Sequence, residues 1–179
     1  MTEYYAPTDV MLGKDAVSMC GEMLARNKAG KVLIHYGSER VVRNGLIGQI
    51  TRQLDEKGIG YVLLGGAQPN PRLSLVRKGI ALGREENVDF LLAVGGGSAI
   101  DSAKAMAYGL YDEGDVWDFY TGARKPSGSF PLGVVLTLAA TGSEMSDSSV
   151  ITNEDGGLKR GCNSNFCRPR FALLDPTLT

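Results

Sequence analysis

The residues with the clearest chemical meaning are Gly95, Gly96, Gly97 and Ser98, followed closely by Asp101. An apolar run, 90–94, precedes them and reads as a buried parallel strand. A stretch of small residues follows and reads as a helix. A strand, a glycine turn and a helix N-terminus together make an anion site. Glycines let the backbone approach a phosphate with its N–H groups, and the first helical turn adds the positive end of its dipole. Ser98 is placed to cap the helix and to offer its hydroxyl to a phosphate oxygen, with Asp101 in the first turn. The turn stands at the carboxyl end of a strand, where open α/β sheets bind ligands, which favours phosphate binding over a bare tight turn. The motif is not a P-loop, because no Gly-Lys-Ser/Thr closes it. It also departs from the standard dinucleotide fingerprint, because Ile100 stands where a third small residue belongs.

Other chemistry-bearing residues are fewer. A second strand-to-turn stretch, 137–144, clusters the hydroxyls of Thr137, Thr141 and Ser143 beside Glu144. Ser143 lacks the flanking glycines of a nucleophile elbow, and a serine triad would have to recruit His35, the single histidine. His35 lies within an apolar strand and reads as structural. No histidine spacing for a metal site exists, and Cys162 and Cys167 are too few to make one. Lys159 and Arg160 flank a glycine hairpin and read as a solvated face. Asp101 and Glu144 can be an acid–base pair or helix and turn caps, and caps are the simpler reading.

These residues need a scaffold, and the hydrophobic pattern supplies one. Strands are expected at 6–12, 31–36, 61–64, 90–94, 131–137 and 170–174, and helices at 14–25, 41–57, 71–86 and 98–108. The segment 111–129, rich in Gly, Asp and aromatics, reads as a loop with a short helix. Runs 148–152 and 158–163 flank Asn-Glu-Asp-Gly-Gly, a hairpin signal. Strand and helix alternate with short connections, which predicts an α/β fold: a Rossmann-like, doubly wound parallel sheet flanked by helices, with an added β-hairpin. Gly37, Gly65 and Gly95 then fall on one edge of the sheet, and their turns line one crevice.

The bulk properties agree. A chain of 179 residues suits one domain, 1–179, and 43 % apolar residues suffice for a sheet covered on both faces. A net charge of −1 gives no reason to expect nucleic acid or an anionic membrane as partner. No apolar run approaches the length of a membrane span, and residues 1–5 lack the pattern of a signal peptide. Three irregularly spaced cysteines suit a reducing compartment, so a cytoplasmic protein is expected.

Residues 90–101 and 137–144, with 66–71 (Gly-Ala-Gln-Pro-Asn-Pro) and 171–176 (Phe-Ala-Leu-Leu-Asp-Pro), resemble the iron-containing, or group III, alcohol dehydrogenase family. The likeness spans essentially the whole chain and leans towards NADPH-dependent butanol dehydrogenases and aldehyde reductases. The resemblance implies an N-terminal dinucleotide-binding domain. Gly96, Gly97 and Ser98 would hold the pyrophosphate, with Gly95 and Asp101 also in the cofactor-binding set. Asn70 would lie by the adenosine half, Thr137 and Thr141 on the nicotinamide side, and Lys159 near a ribose, reversing its reading as a solvated residue. NAD-preferring members carry an acidic residue just after the second strand. Here Gly37 and Ser38 stand there with Arg40 close by, and that set suits a 2′-phosphate. NADP(H) is therefore expected over NAD(H).

The resemblance also implies a helical C-terminal domain whose one Asp and three His hold Fe²⁺ or Zn²⁺, a Lewis acid for a small alcohol or aldehyde substrate. With one histidine, this chain is expected to lack that domain, to carry no catalytic or metal ligands of its own, and to be inactive alone. A homo-oligomer is expected. Two alternatives stand beside this reading: a stand-alone nucleotide-binding or interaction module from a truncated gene, and a sugar-phosphate lyase of the dehydroquinate synthase type.

Overall fold

A computed structural model describes residues 1 and 5–178. Thr2, Glu3, Tyr4 and Thr179 lie outside them, and with them most of the N-terminal stretch weighed above as a signal peptide and the last residue of the expected domain. In chain order the elements are β1 (Asp9–Leu12), α1 (Cys20–Arg26), β2 (Lys31–Tyr36), α2 (Arg40–Arg43), α3 (Leu46–Glu56), β3 (Gly60–Leu64), α4 (Leu73–Glu85), β4 (Phe90–Gly95), α5 (Gly97–Tyr111), α6 (Trp117–Thr121), β5 (Leu132–Leu136), β6 (Ser148–Asn153), β7 (Leu158–Asn163) and β8 (Phe171–Leu174). Six strands form a parallel sheet in the order β1-β8-β5-β4-β2-β3. The other two, β6 and β7, pair antiparallel as the expected hairpin.

The strand order reverses between β2 and β4. From β2 the chain steps outward to β3, then returns to β4 and builds towards β5. A crevice opens at the carboxyl ends of strands on either side of such a reversal, because the connections leave in opposite directions. The ends concerned are Tyr36-Gly37 and Gly95-Gly96.

Alternation along the buried strands sorts the core into two layers. Leu33, Leu91, Ala93, Leu132 and Val134 face α4 and α5, where Val76, Ile80, Ile100, Ala103 and Met106 meet them. Val32, Ile34, Leu92, Val94 and Val135 face α1 and α3, against Leu24, Ile47, Ile50 and Leu54. Every residue of β4 is buried, as expected for a central strand covered on both faces. Helix α5 is buried nearly all round from Ala99 to Gly109, which is why its sequence is short on charge and rich in alanine.

Several expected boundaries move for local reasons. The segment 41–57 is two helices, because Gly45 takes a left-handed φ of +83° and the Asn44 side chain accepts the Leu46 N–H. The expected helix 14–25 is a 3₁₀ turn, Ala16–Met19, followed by α1. Asp15 precedes that turn in a left-handed conformation and donates its N–H to Asp175. Pro71 does not open α4: its carbonyl accepts the Thr152 N–H from the hairpin at 2.7 Å, and the helix starts two residues later.

His35 is structural, as its setting in the sequence suggests. It is fully buried on β2, and its Nδ1 lies 2.8 Å from the Leu64 carbonyl oxygen, so Nδ1 carries the hydrogen. Its Nε2 is buried without a partner among the described residues. Burial pushes its pKa down from 6.5 to about 4, against a smaller opposing pull from the Leu64 carbonyl. The unfolded chain therefore binds more protons than the folded chain across that window. His35 contributes no acid lability above pH 6.5, and stability falls as pH drops from there towards 4, by about 3 kcal/mol at most. Urea denaturation between pH 4.5 and 7.5 should show this loss, and His35→Leu should flatten it while lowering stability throughout, since Leu64 loses its donor. Equal slopes for the two proteins would exclude His35 as the source.

Candidate cofactor site

The glycine turn joins β4 to α5. Gly96 is the residue before the helix, extended at φ −94° and ψ −166°, and its carbonyl accepts the Ala99 and Ile100 amides. Gly97 and Ser98 are the first two helical residues, so their N–H groups have no acceptor within the helix. This corrects two sequence expectations. Ser98 does not cap α5: it lies inside the first turn, and its carbonyl accepts the Ser102 hydroxyl at 2.9 Å. Asp101 is the fifth helical residue and serves the hairpin instead of the helix end. Its Oδ1 accepts the Ser143 hydroxyl at 2.5 Å and its Oδ2 accepts the Val150 N–H at 3.1 Å.

Two cavities meet at this turn. One, of about 250 Å³, sits at the strand-order reversal and is lined by Gly37, Ser38, Arg40, Gly95, Gly96 and Thr137, with Leu138 and Leu178 as apolar walls. The other, of about 310 Å³, lies on the hairpin side and is lined by Asn70, Gly97, Ser98, Asp101, Thr141 and Lys159, with Ser143, Ser146, Ser148, Pro71 and Val150. Every residue singled out for binding from the sequence lines one of the two. Their grouping differs from the expectation in two places. Asn70 shares a cavity with Thr141 and Lys159, not with Ser38 and Arg40, and Thr137 stands with Ser38 and Arg40, not with Thr141.

Local structure explains each placement. The Thr137 N–H donates to the Gly95 carbonyl, which holds the end of β5 against the glycine turn. Asn70 is left-handed at φ +59°, and its Oδ1 accepts the Lys159 ammonium at 2.8 Å, which closes one end of the second cavity. Lys159 is thus exposed but engaged, in contrast to the solvated reading of its sequence setting. Arg160 is exposed on the hairpin. Glu144 caps nothing: its Oε2 is buried without a partner among the described residues, and it does not meet Asp101 as an acid–base pair.

The site also contains residues that sequence reasoning passed over. Lys104, fully buried, lies one helical turn beyond Asp101. Its Nζ donates to the Ser146 carbonyl at 2.8 Å, the Ser148 carbonyl at 2.9 Å, and the hydroxyls of Ser143 and Ser146 at 3.1 and 3.2 Å. Tyr120 and Ser149 share a buried hydrogen bond of 2.7 Å, and Ser149 also donates to the Asp101 carbonyl. The one sequence signal was a lysine within an otherwise small, apolar helix.

A dinucleotide fits this arrangement. The unpaired amides of α5 stand between two cavities, one walled by leucines and an arginine, the other by hydroxyls, an amide and a lysine. A metal does not fit: no group of three or more His, Cys, Asp or Glu among the described residues could hold one, so no metal-assisted step can be derived from this chain.

Comparison with known proteins carries the same message. Residues 7–176 match the family model "Iron-containing alcohol dehydrogenase". This chain belongs to the iron-containing alcohol dehydrogenase family. NADH-dependent butanol dehydrogenase A of Clostridium acetobutylicum is 43 % identical over 177 residues, covering 99 % of this chain and 45 % of that protein. The NADPH-dependent aldehyde reductase YqhD of Escherichia coli is 38 % identical over 178 residues, covering 98 % and 45 %. The solved structure of NADH-dependent butanol dehydrogenase A from Thermotoga maritima superposes with a TM-score of 0.96 at 36 % identity, covering 99 % of this chain and 45 % of that one. The chain therefore spans a little under half the length of the relatives it matches, and corresponds to the N-terminal domain of iron-containing alcohol dehydrogenases. The family match selects this fold family over the dehydroquinate synthase type. Both NADH- and NADPH-dependent enzymes occur among these relatives.

Among the glycines that line the two cavities, Gly97 leaves the least room for a side chain. A Cβ at Gly97 would stand 2.5 Å from Thr141 Oγ1 and 2.8 Å from its Cγ2. Gly97→Ala should therefore push the Thr141 turn outward and cost about 1–3 kcal/mol of stability in chemical denaturation. The same substitution should cost clearly less in a Thr141→Ala background. Strict additivity of the two would show that this contact is not what requires glycine.

Proposed function

We propose that the chain binds NADP(H) across the glycine turn. The adenosine 2′-phosphate lies in the cavity of Ser38 and Arg40, the pyrophosphate on the amides of Gly97 and Ser98, and the nicotinamide half in the cavity of Asp101, Thr141 and Lys159. The observation that carries this reading is the junction of two cavities at unpaired helix amides, at the reversal of strand order. In the whole protein this domain serves a metal-dependent oxidoreductase acting on a small alcohol or aldehyde, within a homo-oligomer in the cytoplasm. The oxidoreductase reading is supported by the names of the relatives, and the cytoplasmic one by three free, buried cysteines, which suit a reducing compartment. No helix among the described residues is long and apolar enough to cross a membrane.

When bound, the nicotinamide supplies a hydride donor or acceptor. The residues of this chain bind and orient it. Leu138, 60 % exposed, and Leu178 offer apolar surface to an adenine. Gly37 places no carboxylate at the end of β2, Glu39 is not among the residues that line the cavity, and Arg40 can pair with a 2′-phosphate through a charged hydrogen bond. Thr137 closes that cavity from the side of β5. Asn70 and Lys159, already bonded to each other, present an amide and a cation to the ribose and phosphate of the nicotinamide half.

Titration with NADPH and NADH, followed by nucleotide fluorescence, tests the reading. NADPH is expected to bind more tightly, and Arg40→Ala to weaken NADPH by about tenfold while leaving NADH within about twofold. Tighter NADH binding by the unmodified chain would overturn the 2′-phosphate assignment. No binding of either nucleotide would overturn the cofactor site itself.

A further inference from the structure

Lys104 is a buried charged side chain in the centre of an alanine-rich helix, and it does not line the cavity. A buried ammonium is unfavourable unless hydrogen-bonded acceptors surround it. Here four oxygens do so, all from the segment 143–148: the Ser146 and Ser148 carbonyls and the Ser143 and Ser146 hydroxyls. That segment is a turn running into the first residue of β6, and it lines the cavity through Ser143, Ser146 and Ser148. Without Lys104, the Ser146 carbonyl would lose this donor, and the Ser148 carbonyl would keep the longer bond from the Ser146 hydroxyl at 3.4 Å.

The chemistry of the donor decides a second point. An ammonium donates and cannot accept. At the 3.1 Å contact, Ser143 Oγ must therefore accept from Lys104, which leaves the Ser143 hydrogen free for one other acceptor. It is donated to Asp101 Oδ1 at 2.5 Å. With Oδ2 taken by the Val150 N–H, both carboxylate oxygens are fixed in direction while the residue still lines the cavity. The same polarity excludes Ser143 as a nucleophile activated by Lys104, since its proton already belongs to the carboxylate and the ammonium has no lone pair.

We propose that Lys104 is a positioning residue of the cofactor site: its buried ammonium holds the 143–148 wall of the cavity and, through Ser143, sets the orientation in which Asp101 faces the bound nucleotide. This rests on the reading of that cavity as half of a dinucleotide site. Burial pushes the Lys104 pKa down, while Cys167, Asp101 and Asp147 pull it back up and Arg168 again lowers it. Four acceptors around one nitrogen favour the charged form with its three hydrogens. Asp101, for its part, is raised by burial and lowered by the bonds from Ser143 and Val150 and by the charges of Lys104 and Lys159.

The test compares charge with volume. Lys104→Met fills the same space without the charge. It should bind NADPH about tenfold more weakly, and amide hydrogen exchange across 143–148 should speed up by about tenfold. Lys104→Ala should regain much of both when propylammonium is supplied in solution, but not when propanol is. Wild-type binding and exchange in Lys104→Met, or rescue by propanol as good as rescue by propylammonium, would overturn the inference in favour of simple packing. Should neither Lys104 variant fold, Ser146→Ala carries the test: it removes one hydroxyl acceptor, with binding weakened about threefold and exchange correspondingly faster, and unchanged values overturn the inference. Failure of the unmodified chain to bind NADPH overturns the cofactor reading itself, and it is seen before any substitution is made.

Discussion

The structure depends on one constraint: the first amides of α5 must stay unpaired and approachable while everything around them is tightly packed. Such groups are tolerated only where solvent or a ligand can satisfy them, so they cannot be covered by another element. The strand-order reversal between β2 and β4 supplies the uncovered place. On the other sides the packing is close. Gly97 leaves no room for a methyl group against Thr141, and a Cβ at Gly95 would stand 2.7 Å from that of Ala99. Glycine here serves closeness, since neither residue takes a left-handed φ.

A second layer of organisation follows from burying α5. A helix covered on all sides has to satisfy whatever polar groups it carries inside the protein. Asp101, Ser102 and Lys104 do so in different ways. Ser102 bonds back to its own helix, whereas Asp101 and Lys104 reach out to the 143–150 stretch of the chain. The two outward-reaching residues bear opposite charge and meet through a single serine. The hairpin β6–β7 is thereby attached to α5 by polar bonds as well as by the apolar contacts of Ile151 and Cys162. The attachment brings Lys159 within reach of Asn70, although they are 89 residues apart in the chain.

Much of this was legible in the sequence, and the limits were physical. Buried strands announce themselves by apolar runs, and glycine turns by composition. The sheet, the hairpin and the binding turn followed from those signals. Boundaries moved where a group far away in sequence won the backbone, as the Asp175 carboxylate does at Asp15 and the Thr152 N–H at Pro71. Ser98 looked like a cap because its residue type suits one, but Gly96 can turn the chain a step earlier with no side chain at all. Asn70 and Thr137 line the cavities opposite to those expected, because spacing along a chain does not tell which side of a turn a loop returns to. Lys104 was passed over because a lysine in a helix is ordinarily solvated. Its burial becomes visible only when four oxygens from one loop are found around it.

The cofactor question shows how little of a fold such a choice engages. Relatives that share this architecture are named for NADH in one case and NADPH in another. In the proposed placement the glycine turn and the helix amides hold the pyrophosphate common to both nucleotides, so they do not discriminate. Only the group at the adenosine 2′ position differs. Its extra phosphate carries charge that a carboxylate would repel and an arginine would attract. With the nucleotide placed as proposed, discrimination falls to the cavity at the end of β2, lined by Gly37, Ser38 and Arg40. Gly37 and Ser38 lie on a turn outside the packed core and Arg40, exposed, opens α2, so they can change without disturbing the core. A binding turn fixed by packing, beside a selectivity turn that is not, allows one domain architecture to carry either nucleotide.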